Sequence, residues 1–238
     1  MFDAVRPWHA RLGGSPTLER LNALAAEAGL RTALGQAVRF VPPTPADPYY
    51  EIKVFETGCV QTRPESLHDL LNALAWLAFP RTKARINAMH AAEIPREGGK
   101  RGRLRDLLTI FDEGGAVVSA PPALRDLLKE FSWKELFWER RADVLRSMKV
   151  HVLGHAVLEQ ALEPRPGITC KVIFAPPAAD PDACAEAWLR SLPPQATPRN
   201  MPPLPIFGYP GWHAENGQAG FYEDQRYFRP FRRDLPVK

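Results

Sequence analysis

His68-Asp69-Leu70-Leu71-Asn72-Ala73-Leu74-Ala75-Trp76-Leu77-Ala78-Phe79-Pro80-Arg81-Thr82-Lys83-Ala84-Arg85-Ile86-Asn87-Ala88-Met89-His90 is the stretch on which the fold turns. Leu67, Leu70, Leu71, Leu74 and Leu77 recur at helical spacing, which predicts an amphipathic helix over 65–79. Pro80 ends that helix, and because proline suits a first helical turn it opens a second one over about 81–92. Each helix carries a polar stripe besides its apolar one. His68 and Asn72 are four apart and Asp69 and Asn72 three apart, so they share a side. Lys83, Asn87 and His90 fall at i, i+4 and i+7 of the second helix. With almost no linker at Pro80, the stripes either meet in one cleft or diverge into solvent, and sequence leaves both outcomes open. Two imidazoles, a lysine and two amides are costly to bury together unless they bind something.

Outward from this pair, periodicity predicts helices over 17–28, 102–111, 122–131, 133–148, 155–162 and 181–192. Thr17 and Asp180 are placed to cap two of them, and Gly29 to end the first. The apolar run 38–41 is followed by a stiff proline-rich spacer, Pro42-Pro43-Thr44-Pro45-Ala46-Asp47-Pro48. Tyr50, Ile52, Val54 and Phe55 read as a strand closed by Thr57-Gly58, with a hairpin partner over 59–61. Residues 150–153 and 168–174 read as further strands, and 97–100 as a loop. The expected fold is a mainly helical α+β single domain, 1–238, with a few short strands and a proline-rich C-terminal extension over about 193–238 that wraps the surface.

Composition agrees with a globular chain. Of 238 residues 45% are apolar and 24% charged, a balance foreign to disordered tails and membrane bundles. The 25 prolines are about twice the usual ~5% share and exclude a simple helix bundle. The longest apolar run, 73–79, is far shorter than the roughly 20 residues of a membrane span, and the N-terminus lacks the apolar segment of a signal peptide. Three scattered cysteines, Cys59, Cys170 and Cys184, form no zinc or disulfide framework. A cytoplasmic protein with no membrane partner is the expectation.

The net charge of +4 is unevenly spread. Residues 81–105 hold eight basic and two acidic side chains, +6, and 226–238 hold five and one, +4, which leaves −6 for the rest. Such segments suit phosphate, nucleic acid or an acidic partner, or else a solvated surface. Thr109-Ile110-Phe111-Asp112-Glu113-Gly114-Gly115 ends a helix with two carboxylates where the dipole favours cations. Asp112 and Glu113 are therefore recruited to a metal or to a base such as Lys83 or Arg105, or lie in a solvated turn. His151 and His155 are four apart, but the first lies in a predicted strand and Gly154 intervenes, so both read as ordinary core or surface residues. Phosphate-loop, dinucleotide and nucleophile-elbow motifs are missing from the sequence.

The 68–90 stretch resembles a bacterial, largely proteobacterial, domain-of-unknown-function family, number 3025. Two further segments carry the likeness: Asp106 to Gly114, and Pro203-Leu204-Pro205 through Gly211-Trp212 to Tyr227-Phe228-Arg229-Pro230. The resemblance spans nearly the whole chain. It implies one domain and a patterned tail containing Asp224, Arg226, Tyr227 and Arg229, and it brings no activity with it.

The leading functional expectation is an enzyme, a metal-dependent hydrolase with a polar cleft between the helices at 65–79 and 81–92. His68, Asp69 and His90 supply metal ligands or acid–base groups, so a divalent metal is the candidate cofactor. Asn72 and Asn87 orient substrate or water, Lys83 holds an anion, and Asp112 and Glu113 serve as further ligands or a base. Arg105, Arg226 and Arg229 are the candidate anion or substrate binders, the last two closing over the cleft. The substrate is a small molecule of unknown kind. The alternatives are a nucleic-acid or acidic-partner binder using 81–105 and 226–238, and a non-catalytic interaction module.

Overall fold

The computed structural model describes residues 1–230 apart from 14, 15, 46, 48 and 99. The basic residues predicted beyond 230, two positions of the proline-rich spacer and Gly99 of the predicted loop lie outside the described residues. Ten α-helices appear among those described: α1 Arg6–Leu12, α2 Leu18–Glu27, α3 Tyr50–Thr57, α4 Leu67–Ala78, α5 Pro80–Glu93, α6 Arg103–Gly114, α7 Pro122–Lys129, α8 Arg141–Ser147, α9 His155–Gln160 and α10 Pro181–Arg190. The strands are β1 Arg39–Val41, β2 Cys59–Gln61, β3 Gly115–Ser119, β4 Lys149–Val152, β5 Thr169–Ala175 and β6 Pro203–Pro205. The fold is mainly helical α+β, as predicted.

β4, β3, β5 and β6 form one sheet in that order, with β3 parallel to β5 and the outer pairs antiparallel. β3 is buried along its whole length. Ala116 and Val118 join the apolar cluster that includes Leu71, Leu74 and Leu77 of α4, while Val117 joins Ile86, Leu107, Leu108, Phe111, Ala185 and Leu189 of α5, α6 and α10. A strand covered on both faces reads as continuous apolar sequence rather than an alternation, which is how Gly115-Ala116-Val117-Val118 is written. The proline-rich segment after Pro193 supplies β6 and short turns, and it sends Leu204, Ile206, Phe207, Tyr222, Tyr227 and Phe228 into the larger cluster.

Two predicted elements differ. Residues 50–57 are a helix, not a strand, and 59–61 pair in parallel with β1 rather than in a hairpin. The i, i+4 pair Tyr50 and Val54 governs here: Val54 is fully buried, and Gly58 ends the helix with φ +73 in the left-handed region. Alternation at 50, 52 and 54 is too short to separate the two periods. The helix predicted over 133–148 is divided into a wide i→i+5 turn, Glu135–Glu139, and α8, with a break at Arg140.

Long-range caps fix the helices that carry polar groups. Ser66 caps α4 by accepting from the Asp69 amide at 3.2 Å. The N-terminus of α5 has no cap of its own; the buried Asp182 of α10 accepts from the amides of Arg81 at 3.0 Å and Thr82 at 2.9 Å. Gly154 brings the start of α9 against the end of α6, where a Cβ would lie 2.6 Å from the Glu113 carbonyl oxygen and 2.6 Å from the Gly114 Cα. That approach puts His155 beside Asp112.

Candidate functional site

The two polar stripes meet. Together with α3, α6 and α9 they enclose a polar cleft of about 380 Å³. His68, Asp69, Asn72, His90, Arg105, Asp112 and Glu113 of the predicted set line it, and Lys83 and Asn87 lie buried directly behind.

Lys83 is 4% exposed and holds two groups of this chain rather than an external anion. Its Nζ donates to Asn72 Oδ1 at 2.8 Å and to Asp112 Oδ1. Burial alone would raise the Asp112 carboxyl, but the Lys83 ammonium and nearby His155 outweigh it and hold Asp112 below the usual range. The helix-end carboxylate is thus recruited to Lys83. Asn72 also donates to the Tyr50 hydroxyl at 3.3 Å.

Asn87 Nδ2 donates to Glu51 Oε2 at 2.6 Å and to the Glu51 carbonyl at 2.9 Å. Its Oδ1 is buried without a hydrogen-bond partner. Glu51, on α3 and facing the cleft, is raised to about 7 because burial penalises its charge and Asp112 repels it, against a partial offset from Asn87 and Lys83.

His68, on α4, meets α9. His155 Nδ1 donates to the Asp112 carbonyl at 3.0 Å, and His68 Nδ1 lies 2.7 Å from Glu159 Oε2. The two Nε2 atoms are 3.2 Å apart. A carbonyl accepts, and so does a carboxylate, so each Nδ1 is the donor and the two Nε2 atoms face each other. Burial lowers His155 to about 4, while His68 is the half-exposed ring beside Glu159.

His90 accepts from Arg105 Nε at 3.1 Å and is lowered to about 4 by burial, so it is a neutral imidazole at neutral pH. Arg105 spends its other bonds on Glu97 Oε2 at 2.7 Å and the Tyr49 hydroxyl at 2.7 Å. The side chains of Glu113 and the exposed Arg101 line the cleft with no hydrogen bond or ion pair among the described residues.

Several expectations need correction. His68, Asp69 and His90 do not form a ligand set: Asp69 is turned to the Arg63 guanidinium at 2.8 and 2.9 Å, and His90 is engaged by Arg105. Among the described residues no three or more His, Cys, Asp or Glu are grouped to hold a metal ion. Arg226 and Arg229 do not close the cleft; they line a separate hollow with Trp133 and Tyr227. Of the eight basic residues over 81–105, five are ion-paired: Arg81 with Asp180, Lys83 with Asp112, Arg85 with Glu186, Arg96 with Glu93 and Arg105 with Glu97.

Sequence reading missed Glu51, Tyr50, His155 and Glu159. The strand reading hid the first two. His155 and Glu159 are four apart on α9, and that spacing was the available signal for two groups reaching one partner.

No helix among the described residues is long and apolar enough to cross a membrane. No curated protein and no solved structure matches the chain. The family model described as protein of unknown function (DUF3025) matches residues 38–232, nearly the whole chain, and the chain belongs to that family.

Proposed function

We propose that the protein is an enzyme that performs general acid–base catalysis on a small polar substrate, with hydrolysis by an activated water as the reaction class. The observation that carries this reading is Glu51. A carboxyl held near 7 at the wall of a polar cleft is half ionised at neutral pH, which is where a group both takes and gives protons efficiently. A water resting on Glu51 would lose its proton to the carboxylate as it attacks, and the carboxyl would return that proton to the leaving group. The His68–His155 pair lines the same cleft, with Nε2 atoms 3.2 Å apart. Asn87 orients Glu51, and Lys83 fixes Asp112 and Asn72. The rim residue Arg101 is available to an anionic group of the substrate, and Glu113 to a donor. The ion pairing of 81–105 weighs against a nucleic-acid or acidic-partner surface.

The test is turnover of carboxylic ester, amide and phosphoester panels by wild type, Glu51→Gln and His68→Ala. One substrate class is expected to turn over, with Glu51→Gln slowed about 10²–10⁴-fold and thermal midpoints retained. Equal rates for wild type and Glu51→Gln, or turnover of none of the three classes, would overturn the proposal.

A further inference from the structure

We infer that His68 and His155 form a binding site for a borderline divalent transition-metal ion, of the Zn²⁺ or Co²⁺ kind, coordinated through their Nε2 atoms. His155 Nδ1 is fixed on the Asp112 carbonyl and His68 Nδ1 on the Glu159 carboxylate, at 3.0 and 2.7 Å. An imidazole whose Nδ1–H is held by a carbonyl or a carboxylate presents a basic Nε2 lone pair in a set direction, the arrangement that metal-ligating histidines adopt. Here two such lone pairs converge, and the rings meet edge to face with centroids 4.6 Å apart.

Distance points the same way. Two imidazole nitrogens each about 2.05 Å from one ion would be ~2.9 Å apart at a right angle and ~3.35 Å apart at the tetrahedral angle. The observed Nε2–Nε2 separation of 3.2 Å falls between those values. The ion would sit between the two Nε2 atoms, bound through their lone pairs. The chain supplies two ligands at this point, since among the described residues no third His, Cys, Asp or Glu is grouped with them. His68 and His155 both line the cleft, so water and substrate atoms would complete the shell. Imidazole donors without thiolate suit Zn²⁺, Co²⁺ or Ni²⁺ over Ca²⁺ and Mg²⁺. The inference goes beyond the acid–base reading and does not depend on Glu51.

The test is titration of the full chain, purified without a histidine tag, with Zn²⁺ by calorimetry and with Co²⁺ by visible absorption. About one equivalent should bind, with cobalt bands from nitrogen ligation. His68→Ala, half-exposed and therefore expected to fold, should weaken binding at least 100-fold. Glu159→Gln should weaken it about 10- to 100-fold through the lost orientation of His68. His90→Gln should bind like wild type. No binding at millimolar Zn²⁺, or equal affinity in His68→Ala and wild type, would overturn the site, and unchanged affinity in Glu159→Gln would overturn the role given to Glu159. Glu51→Gln separates the two proposals, because it is expected to lose turnover while keeping the ion.

Discussion

Two polar clusters of this molecule are built on opposite principles. In the C-terminal segment, Asn216 is 1% exposed and every side-chain group of it is satisfied by backbone. Its Nδ2 donates to the carbonyls of Phe207 at 2.9 Å and Tyr209 at 2.7 Å, and its Oδ1 accepts from the Gly211 amide at 3.3 Å. Around it the Tyr227 hydroxyl donates to the Ile168 carbonyl at 2.7 Å and accepts from the Phe207 amide at 3.0 Å, and the Tyr222 hydroxyl sits 3.0 Å from the Gly208 carbonyl. None of these groups ionises near neutrality. In the cleft, by contrast, carboxylates, imidazoles, a lysine and an arginine face one another, Asn87 Oδ1 is unpartnered, and Glu51 sits near its titration midpoint. A saturated neutral network fixes a shape. Ionisable groups kept together at a cost to stability, and left partly unsatisfied, are what a reacting site needs.

The contrast can be broken by substitution. Lys83→Met should have the largest effect on stability, about 3–5 kcal/mol, because it strands Asp112 as an unpaired, mostly buried carboxylate. Urea unfolding checks this, and restoring most of the loss with Lys83→Met/Asp112→Asn would assign it to the stranded charge. Glu51→Gln should do the reverse at high pH. The carboxyl's folded value, about 7, lies above its ordinary 4.5, so the fold favours the protonated form. That contribution is complete below about pH 4.5 and is lost as pH rises through about 7. At pH 8 Glu51→Gln should therefore be more stable than wild type by up to about 3 kcal/mol, and the gap should vanish near pH 4.5. Asn216→Ala should cost about 2–3 kcal/mol through its lost backbone bonds, equally at both pH values, and leave the rate per folded molecule unchanged. At the small end, Arg96→Ala removes an exposed i,i+3 pair with Glu93 and should change stability by less than about 0.5 kcal/mol.

The two clusters were not equally legible. Helical period placed α4 and α5, and it put His68, Asn72, Lys83, Asn87 and His90 on stripes, because spacing within a helix is local information. Their convergence depends on the turn at Pro80, on Asp182 capping α5 from α10, and on Gly154 admitting α9 against α6. Those are contacts across about a hundred residues or between separate elements, and no window of sequence contains them. Glu51 was hidden by the short alternation at 50–54, and His155 and Glu159 gained meaning only when α9 was set against His68. Asn216 carried no signal, since an asparagine between His213 and Gly217 reads as an ordinary turn residue.

The difference between the clusters rests on the ionisation of one side chain, and that is accessible without a substrate. Carboxyl-carbon NMR of the ¹³C-glutamate-labelled protein, with Glu51→Gln to assign the resonance, would follow Glu51 directly from pH 4 to 9. A midpoint near 7, well above the exposed glutamates, is the expected result. A midpoint below about 5 would mean that Glu51 is fully ionised at neutral pH, and the acid–base reading of the cleft would be contradicted.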